Sequence, residues 1–269
     1  WRSADAQVLR RSCSQYVEAM SPKWTAADVP DQTGRVAVVT GANAGLGLET
    51  AAVLAERGAR VVVAVRDLGK GETAVGEIRR RTPNADVALQ QLDLSSLASV
   101  RTAADELRAA YPRIDLLINN AGVYGDRNTG HQNIDIADWE KSFRVNTMAP
   151  LMVASAFLGH VSRDGGGKIA TVSSVLASIA ESSPNSASYA YRTSKAAVNM
   201  AMHVFAEEVR PENVAVILLH PGWVQTDMGG PSAAIDAQTS AEGIRKVLDG
   251  AGMAESGRLF AYDGREIPW

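Results

Sequence analysis

The chain has 269 residues, of which 46% are hydrophobic, and a formal net charge of −3, which suits one large α/β domain with its own core. The small negative charge argues against binding to nucleic acid or to anionic membranes, and the apolar runs are too short to span a bilayer. One cysteine excludes an internal disulfide, the four histidines are scattered without the spacing of metal ligands, and a reducing, cytoplasmic location is expected.

Residues 1–33 are predicted to be an N-terminal extension to a single domain at 34–269. Trp1–Met20 carries three arginines without the apolar region or cleavage site of a secretory signal. This segment has the apolar residues for a short amphipathic helix, but we favour a poorly packed extension. Turn residues at Pro30–Gly34 separate it from the first predicted strand.

From Arg35 onward, β-branched strand patterns alternate with amphipathic helical patterns, which indicates βαβ units. The predicted strands are Val36–Thr40, Arg60–Val65, Asp86–Gln91, Leu116–Asn119, Lys168–Val172, Val214–Leu219 and Leu259–Tyr262. The predicted helices are Gly47–Arg57, Lys70–Arg81, Leu97–Ala110, Ile136–Leu158, Tyr189–Val209 and Ala241–Leu248. This alternation predicts an α/β, doubly wound parallel sheet of about seven strands with helices on both faces.

A glycine-rich segment, TGANAGLG at Thr40–Gly47, joins the first strand to the first helix. Gly41 permits the tight turn, Gly45 lets the backbone approach a pyrophosphate, and Gly47 lets the helix pack closely. The helix N-terminus directs amide donors and the positive end of its dipole at the phosphates. Such a turn is often structural, but here it lies between a readable strand and helix, which predicts a dinucleotide site.

The end of the second strand bears on the choice of dinucleotide. Val65 stands where an acidic ligand of the ribose is expected, and Arg66 follows it. An arginine at this place can pair with a 2′-phosphate, which favours NADP. Asp67, the next residue, keeps NAD as the alternative.

Tyr191 and Lys195 are four residues apart in a predicted helix, so both lie on one helical face. A phenol transfers protons poorly at neutral pH, and a neighbouring ammonium is expected to lower its pKa toward the working range. Tyr189 is six residues from Lys195 and falls off that face. With the glycine turn, the pair predicts a nucleotide-dependent redox enzyme.

These segments resemble the short-chain dehydrogenase/reductases, a family with the Rossmann fold, from Gly34 to Trp269. The matching motifs are TGANAGLG at Thr40–Gly47, LDLS at Leu92–Ser95, NNAG at Asn119–Gly122, VNT at Val145–Thr147, SS at Ser173–Ser174, YRTSK at Tyr191–Lys195 and HPGWVQTDMGG at His220–Gly230. Within the family, the second half is most similar to C-factor and sniffer-type carbonyl reductases. The first half is more similar to retinol dehydrogenase-type reductases.

The resemblance implies a catalytic tetrad of Asn146, Ser174, Tyr191 and Lys195. Tyr191 would donate a proton to the carbonyl oxygen, and Ser174 would hydrogen-bond the oxygen as charge develops on it. Lys195 would lower the pKa of Tyr191 and bind the nicotinamide ribose, while Asn146 would hold a water that relays protons to Lys195. Consecutive strand residues point to opposite faces, and the family pattern selects Ser174 over Ser173.

The resemblance also implies the residues that hold the cofactor. Asp93 would meet the adenine, Asn120 the ribose region on the adenosine side, and the Pro221–Thr226 loop the carboxamide, through Val224 and Thr226. The full set of expected cofactor contacts is Gly41, Asn43, Gly45, Leu46, Gly47, Arg66, Asp93, Leu94, Asn120, Gly122, Tyr191, Lys195, Pro221, Val224 and Thr226.

We therefore expect an NADP-dependent carbonyl reductase for small or medium apolar carbonyl or alcohol substrates. The alternative is a dinucleotide-binding regulatory or developmental signalling protein of the C-factor type. An insertion at Ala180–Ser188 is expected to widen the rim of the site. Four apolar residues suggest an apolar pocket, although each also suits core or interface: Met148, Trp223, Met228 and Ile235.

A homodimer is also predicted from the helical patterns at Ile136–Leu158 and Tyr189–Val209. Both carry apolar residues on more than one face, and the sheet covers only one of them. A second subunit related by a two-fold axis is the expected cover for the other. The residues concerned are Met148, Met152, Phe157, Met200, Met202 and Phe205.

Overall fold

The computed structural model describes residues 29–125, 131–161, 167–182 and 188–269. Within these ranges seven parallel strands form one sheet in the order β3-β2-β1-β4-β5-β6-β7. The strands are β1 (Val36–Thr40), β2 (Arg60–Val65), β3 (Val87–Gln91), β4 (Leu116–Asn119), β5 (Lys168–Val172), β6 (Ala215–His220) and β7 (Leu259–Ala261). The predicted doubly wound sheet is confirmed. Most of the predicted N-terminal extension and the centre of the Ala180–Ser188 insertion lie outside the described residues.

Helices cover both faces of the sheet. They are α1 (Gly45–Glu56), α2 (Leu68–Arg81), α3 (Leu97–Ala110), α4 (Ile136–Phe143), α5 (Ala149–Phe157), α6 (Tyr189–Glu208) and α7 (Ala237–Gly250). No helix formed by the described residues is long and apolar enough to cross a bilayer.

Strands β1, β2 and β6 are nearly continuous apolar runs because both of their faces are buried. Val38 pairs with Val62 and Leu117 on the neighbouring strands and packs under α3, α5 and α6. Val39 faces the opposite side, under α1, α2 and α7. Alternation along each strand thus divides the core into two apolar layers, one on each side of the sheet.

The predicted helix Ile136–Leu158 is interrupted, which the sequence interpretation missed. Five residues, Arg144–Met148, form a π-helical turn between α4 and α5. Pro150 stands in the first turn of α5 and has no amide hydrogen to donate to the carbonyl of Asn146, four residues earlier. A wider turn therefore replaces the regular helical hydrogen-bonding pattern at Asn146.

The chain order of the strands determines where a ligand can bind. The sequence runs from β1 outward through β2 to β3, then returns to β4 on the other side of β1. The connections that follow β1 and β4 therefore diverge, and they leave a crevice at the carboxyl ends of the strands.

Candidate active site

A cavity of about 1210 Å³ occupies this crevice. It is lined by residues from the segments that follow strands β1 to β6. These segments are far apart in the chain: the first and last lining residues, Gly41 and Gly229, are separated by almost 190 positions. Every predicted site residue is part of the lining except Gly47 and Asn146. Those two lie directly behind it, where each supports residues that do reach the cavity.

The glycine turn forms one end of the cavity. Gly41 and Gly45 have positive φ angles of 67° and 54°, which residues with a Cβ atom rarely adopt. A Cβ at Gly45 would also lie 2.9 Å from Cγ2 of Thr226, on the opposite wall. Ala44, the N-cap residue of α1, has no side-chain oxygen to accept from the first-turn amides. Those amides remain available to an anion.

Gly47 and Asn120 support this turn from behind. A Cβ at Gly47 would overlap Nδ2 of Asn120 and lie 2.5 Å from the carbonyl oxygen of Gly41. Nδ2 of Asn120 donates to the carbonyl oxygens of Thr40 (2.9 Å) and Gly41 (3.4 Å). Asn120 lines the cavity as expected, but its amide holds the turn in place. Sequence analysis had not found this supporting contact.

Arg66 and Asp67, the two candidates for recognising the ribose, both follow β2 but differ in position. Arg66 is exposed and lines the cavity. Asp67 is not part of the lining, and its Oδ1 accepts a 3.1 Å hydrogen bond from the Lys70 amide as the N-cap of α2. Of the two residues, only Arg66 therefore reaches the cavity, while the Asp67 carboxylate caps the helix.

Asp93 follows β3 and lines the cavity near Arg66. Burial acts to raise the pKa of its carboxyl, but hydrogen bonds from Ser95 and the charge of Arg66 lower that pKa below its ordinary value. Oδ1 accepts from the amide and the hydroxyl of Ser95 at 2.9 and 2.7 Å. The carboxylate is therefore ionised and fixed in position. Leu94 lines the cavity beside it.

Tyr191 and Ser174 meet at the other end of the cavity. Tyr191 is only 7% exposed, and the Ser174 side chain lies near enough to its phenol to lower the pKa of that phenol. The hydroxyl of Ser173 turns away and donates to Oδ1 of Asn199, 2.5 Å distant. Of the two serines, Ser174 thus faces Tyr191. Tyr189 is 42% exposed and lies outside the cavity lining, as helical geometry predicted.

Lys195 lies one turn further along α6. Its Nζ donates to the carbonyl oxygen of Val172 at 2.8 Å and is 5.9 Å from the centroid of the Tyr191 ring. Burial lowers the pKa of Lys195 to about 8.

The expected lowering of the Tyr191 pKa is wrong for this structure. Burial raises the pKa of Tyr191 to about 12, and the Ser174 hydrogen bond only partly opposes that rise. Removal from water disfavours the charged forms of both Tyr191 and Lys195. The Lys195 ammonium donates to the Val172 carbonyl and is 5.9 Å from the Tyr191 ring centroid, and the desolvation of the phenol outweighs any lowering of its pKa by that charge.

Asn146 lies in the π-helical turn and is fully buried. Its Oδ1 accepts from the Val123 amide at 2.8 Å, and its Nδ2 donates to the Val123 carbonyl oxygen at 2.8 Å and to Ser194 Oγ at 3.0 Å. A Cβ at Gly122 would lie 3.2 Å from Oδ1 of Asn146 and 3.4 Å from Nζ of Lys195. Gly122 thus adjoins both side chains, and a Cβ there would crowd Asn146. Pro150, four residues after Asn146, was the available sequence signal for this turn.

The loop after β6 closes the cavity above the glycine turn. Pro221, Val224 and Thr226 all line it. The loop is held by Ile235, whose carbonyl oxygen accepts from the Gln225 amide at 2.8 Å and whose amide donates to the Trp223 carbonyl oxygen at 3.2 Å. Both loop residues that were expected to meet the carboxamide therefore line the cavity.

The apolar pocket residues divide into two groups. Trp223 and Met228 line the cavity, whereas Met148 and Ile235 do not. Met148 is instead 53% exposed on the outer surface. Sequence analysis missed four other lining residues near Tyr191, namely Tyr124, Val175, Leu176 and His220. In the sequence, the one indication that these residues belong to the site is their position at or after the carboxyl end of a strand: Tyr124 after β4, Val175 and Leu176 after β5, and His220 at the end of β6.

Known proteins share these features. The family model for short chain dehydrogenases matches residues 35–236. C-signal of Myxococcus xanthus is 45% identical over 156 residues, which covers 58% of this chain and 93% of that protein. Retinol dehydrogenase 14 of Mus musculus is 34% identical over 214 residues, which covers 73% of this chain but only 63% of that protein.

The fold has a similar counterpart among solved structures. The NADPH-bound carbonyl reductase from chicken fatty liver superposes with a TM-score of 0.79 at 28% identity, over 88% of this chain and all of that one (100%). The resemblance inferred from the motifs is thereby confirmed. The chain belongs to the short-chain dehydrogenase family of oxidoreductases.

Proposed function

We propose that the protein is an NADP(H)-dependent carbonyl reductase, which reduces small or medium apolar aldehydes or ketones or oxidises the matching alcohols. The observation that carries this proposal is the shared cavity. A glycine turn with exposed amides forms one end, and Tyr191, Ser174 and Lys195 meet at the other end. A buried acid–base group in a nucleotide cleft is typical of catalysis.

The cavity fits NADP(H). The first-turn amides of α1 suit the pyrophosphate, and no Cβ stands at Gly41 or Gly45 to fill that space. Arg66 offers the 2′-phosphate a charge-assisted hydrogen bond, and Asp93 lies beside it for the adenine end. The solved carbonyl reductase that resembles this chain holds NADPH. When bound, the dinucleotide supplies or accepts the hydride.

The proton would come from Tyr191. A phenol whose pKa is about 12 remains protonated at neutral pH, so it can donate to the carbonyl oxygen of the substrate. Ser174 would donate a hydrogen bond to the same oxygen as negative charge grows there. The phenolate that remains is a buried anion, and the Lys195 ammonium on the same helix is the cation placed to stabilise it. Asn146 would hold a water that relays protons to Lys195, as the family resemblance implies.

The substrate class follows from the walls near Tyr191. Val175, Leu176, Trp223 and Met228 line that end of the cavity. Trp223 is 56% exposed, so its ring borders the entrance as well as the interior. Apolar walls around a few convergent polar groups favour an apolar substrate whose carbonyl is its main polar group.

A regulatory or signalling role is the second candidate, and similarity to the protein named C-signal favours it. A protein that only senses a dinucleotide needs the glycine turn and Arg66. It has no requirement for a buried phenol beside Ser174. The whole arrangement therefore supports the enzyme more strongly.

A panel of aldehydes, ketones and quinones tested with NADPH and with NADH discriminates the two candidates. We expect turnover with NADPH on apolar carbonyl compounds. Tyr191→Phe should lower kcat by at least about 10²-fold, the usual contribution of a general acid, while the Kd for NADPH stays near that of the parent. NADPH binding without turnover of any compound would favour the regulatory role, and substantial turnover by Tyr191→Phe would reject the proton donor.

We also propose the homodimer. Met200 and Val204 are exposed to 65% and 55% on one face of α6, and Met148 is exposed to 53% on the π-helical turn packed beside it. Phe157, Met202 and Phe205 are buried in the core instead, so they do not contribute. Light scattering at micromolar concentration should give twice the mass of one chain, and Met200→Glu should halve it. The mass of one chain for the parent would reject the dimer.

A cytoplasmic location remains part of the proposal. Its support is one cysteine in 269 residues, which gives the fold no dependence on an oxidising compartment. Fractionation of the source cells with an antibody to this chain would test it, and recovery in the membrane pellet would contradict it.

A further inference from the structure

A second tyrosine lies directly on Tyr191. The rings of Tyr124 and Tyr191 are stacked with their centroids 4.4 Å apart and their planes 18° from parallel. Tyr124 also lines the cavity. One face of the Tyr191 ring is therefore covered by Tyr124.

The outer end of Tyr124 is held as well. Oγ of Ser188 donates a 3.1 Å hydrogen bond to Oη of Tyr124. Ser188 precedes the first residue of α6 and adopts a left-handed backbone conformation with φ of 78°, which non-glycine residues seldom do. Its side chain does not cap the helix. The hydroxyl instead links the start of the helix that carries Tyr191 to the segment after β4.

The backbone on both sides of Tyr124 is fixed. Val123 exchanges two hydrogen bonds of 2.8 Å with the Asn146 side chain. Gly125 has a φ of 77°, and a Cβ there would overlap the carboxylate of Asp138 in α4. The backbone at Tyr124 is thus fixed on both sides. Asn146 of the π-helical turn holds Val123, and Gly125 occupies a turn that has no room for a Cβ.

We propose that Tyr124 is a positioning residue that holds the plane of the Tyr191 ring, so that the Tyr191 hydroxyl stays aligned with the carbonyl oxygen of the substrate. Aromatic rings at this separation and angle attract each other beyond simple burial. A general acid acts only within hydrogen-bond reach of its acceptor, and displacement of a reacting group by about 1 Å costs on the order of 10²-fold in rate. The consequence for catalysis rests on the proposed function, whereas the restraint on the ring does not.

The test compares three variants of the full-length protein. Tyr124→Leu removes the stack, Tyr124→Phe keeps the stack but removes the hydroxyl, and Tyr189→Leu is the control. Tyr189 is an exposed tyrosine of the same helix and lies outside the cavity lining. The first measurement is the flip rate of the Tyr191 ring by NMR with ring-labelled tyrosine, its signal being assigned by its loss in Tyr191→Phe. This measurement requires neither cofactor nor turnover.

We expect Tyr124→Leu to speed the Tyr191 ring flip at least about tenfold, with much smaller changes in the other two variants. With a carbonyl substrate and NADPH, Tyr124→Leu should lower kcat at least about tenfold, while KM and the Kd for NADPH change less than about threefold. Tyr124→Phe should recover most of that loss in kcat. Tyr189→Leu should match the parent.

An unchanged flip rate in Tyr124→Leu would overturn the proposal, as would a kcat equal to that of the parent. Equal losses of kcat in Tyr124→Phe and Tyr124→Leu would also overturn it, because the hydroxyl and not the stacked ring would then be responsible. If Tyr124→Leu does not fold, Tyr124→Met takes its place with the same expectations. If the unsubstituted protein turns over no carbonyl compound, the proposed function is rejected. The ring-flip measurement would still show whether Tyr124 restrains the Tyr191 ring.

Discussion

The two ends of the cavity are built in different ways. The nucleotide end is made mainly by the backbone of one contiguous segment, Thr40–Gly47, whose glycines have positive φ angles or no room for a Cβ. The proton-transfer end is made by side chains from four distant segments, which include Tyr124, Asn146, Ser174 and Tyr191. Substitutions that add atoms should therefore damage the nucleotide end, whereas substitutions that remove side-chain atoms should damage the proton-transfer end.

Lys195→Met should give the largest effect, because Lys195 is expected both to act on Tyr191 and to bind the nicotinamide ribose. Loss of the ammonium should lower kcat at least about 10²-fold and also weaken NADPH binding, since charge-assisted hydrogen bonds contribute about 1.5–3 kcal/mol. Steady-state kinetics and fluorescence titration measure the two effects. Lys246→Met, which changes an exposed lysine of α7, is the control. Loss of turnover with unchanged NADPH affinity would contradict the contact between Lys195 and the nicotinamide ribose.

Gly47→Ala tests the sensitivity of the nucleotide end to one added carbon. The new Cβ would overlap Asn120 and approach the Gly41 carbonyl, so we expect a loss of about 1–3 kcal/mol in the free energy of unfolding and weaker NADPH binding. Chemical denaturation measures the first. Gly76→Ala is the matched control, because a Cβ at that exposed position in α2 meets nothing within 4 Å. The control should gain about 0.5–1 kcal/mol, and equal behaviour of the two variants would contradict the packing argument.

Arg66→Ala tests the one part of the nucleotide end that depends on a side chain. We expect the preference for NADPH over NADH to fall at least about tenfold, since the charge-assisted hydrogen bonds to the 2′-phosphate are lost. Affinities for both dinucleotides, measured by titration, give the ratio. Arg80→Ala removes the same charge from an exposed position near the end of α2 and should leave the ratio unchanged. If the unsubstituted protein binds NAD and NADP with equal affinity, Asp67 and not Arg66 recognises the ribose.

His220→Gln should give the smallest effect, seen as a pH dependence of stability. Burial lowers the pKa of His220 to about 4, helped by the charge of Arg265 and opposed by Asp263 and Glu181. Among the described residues its Nδ1 has no hydrogen-bond partner. The unfolded chain takes up the proton at a higher pH than the folded protein does, so stability falls as pH drops from about 6.5 toward 4.

Between about pH 7 and about pH 5.5, this histidine should account for a loss of about 1 kcal/mol. Thermal unfolding of His220→Gln should show a weaker decline over that interval than the parent, whereas His131→Gln, at an exposed position, should decline like the parent. An equal decline in the parent and in His220→Gln would mean that His220 titrates in the same way in the folded and unfolded chains.

Most of the fold was readable from the sequence, because its signals are local. The predicted strands Val36–Thr40, Arg60–Val65, Leu116–Asn119 and Lys168–Val172 have the bounds that the structure shows. A β-branched run bounded by turn residues predicts a buried parallel strand without knowledge of its neighbours. The prediction of one continuous helix across Arg144–Met148 was wrong in part. The spacing of apolar residues does not reveal that a single proline in the next turn disrupts the helical hydrogen bonds.

The same distinction holds for the site. The sequence by itself determined the glycine turn, the helical face shared by Tyr191 and Lys195, and the position of Arg66 after β2, because each depends on residues close together in the chain. Only the tertiary structure decided that Asp67 caps a helix, that Asn120 supports the turn, and that Tyr124 stacks on Tyr191. It also reversed the expected direction of the Tyr191 pKa. The physical reason is that desolvation and side-chain contact depend on every element that surrounds a group, and those elements come from distant parts of the chain.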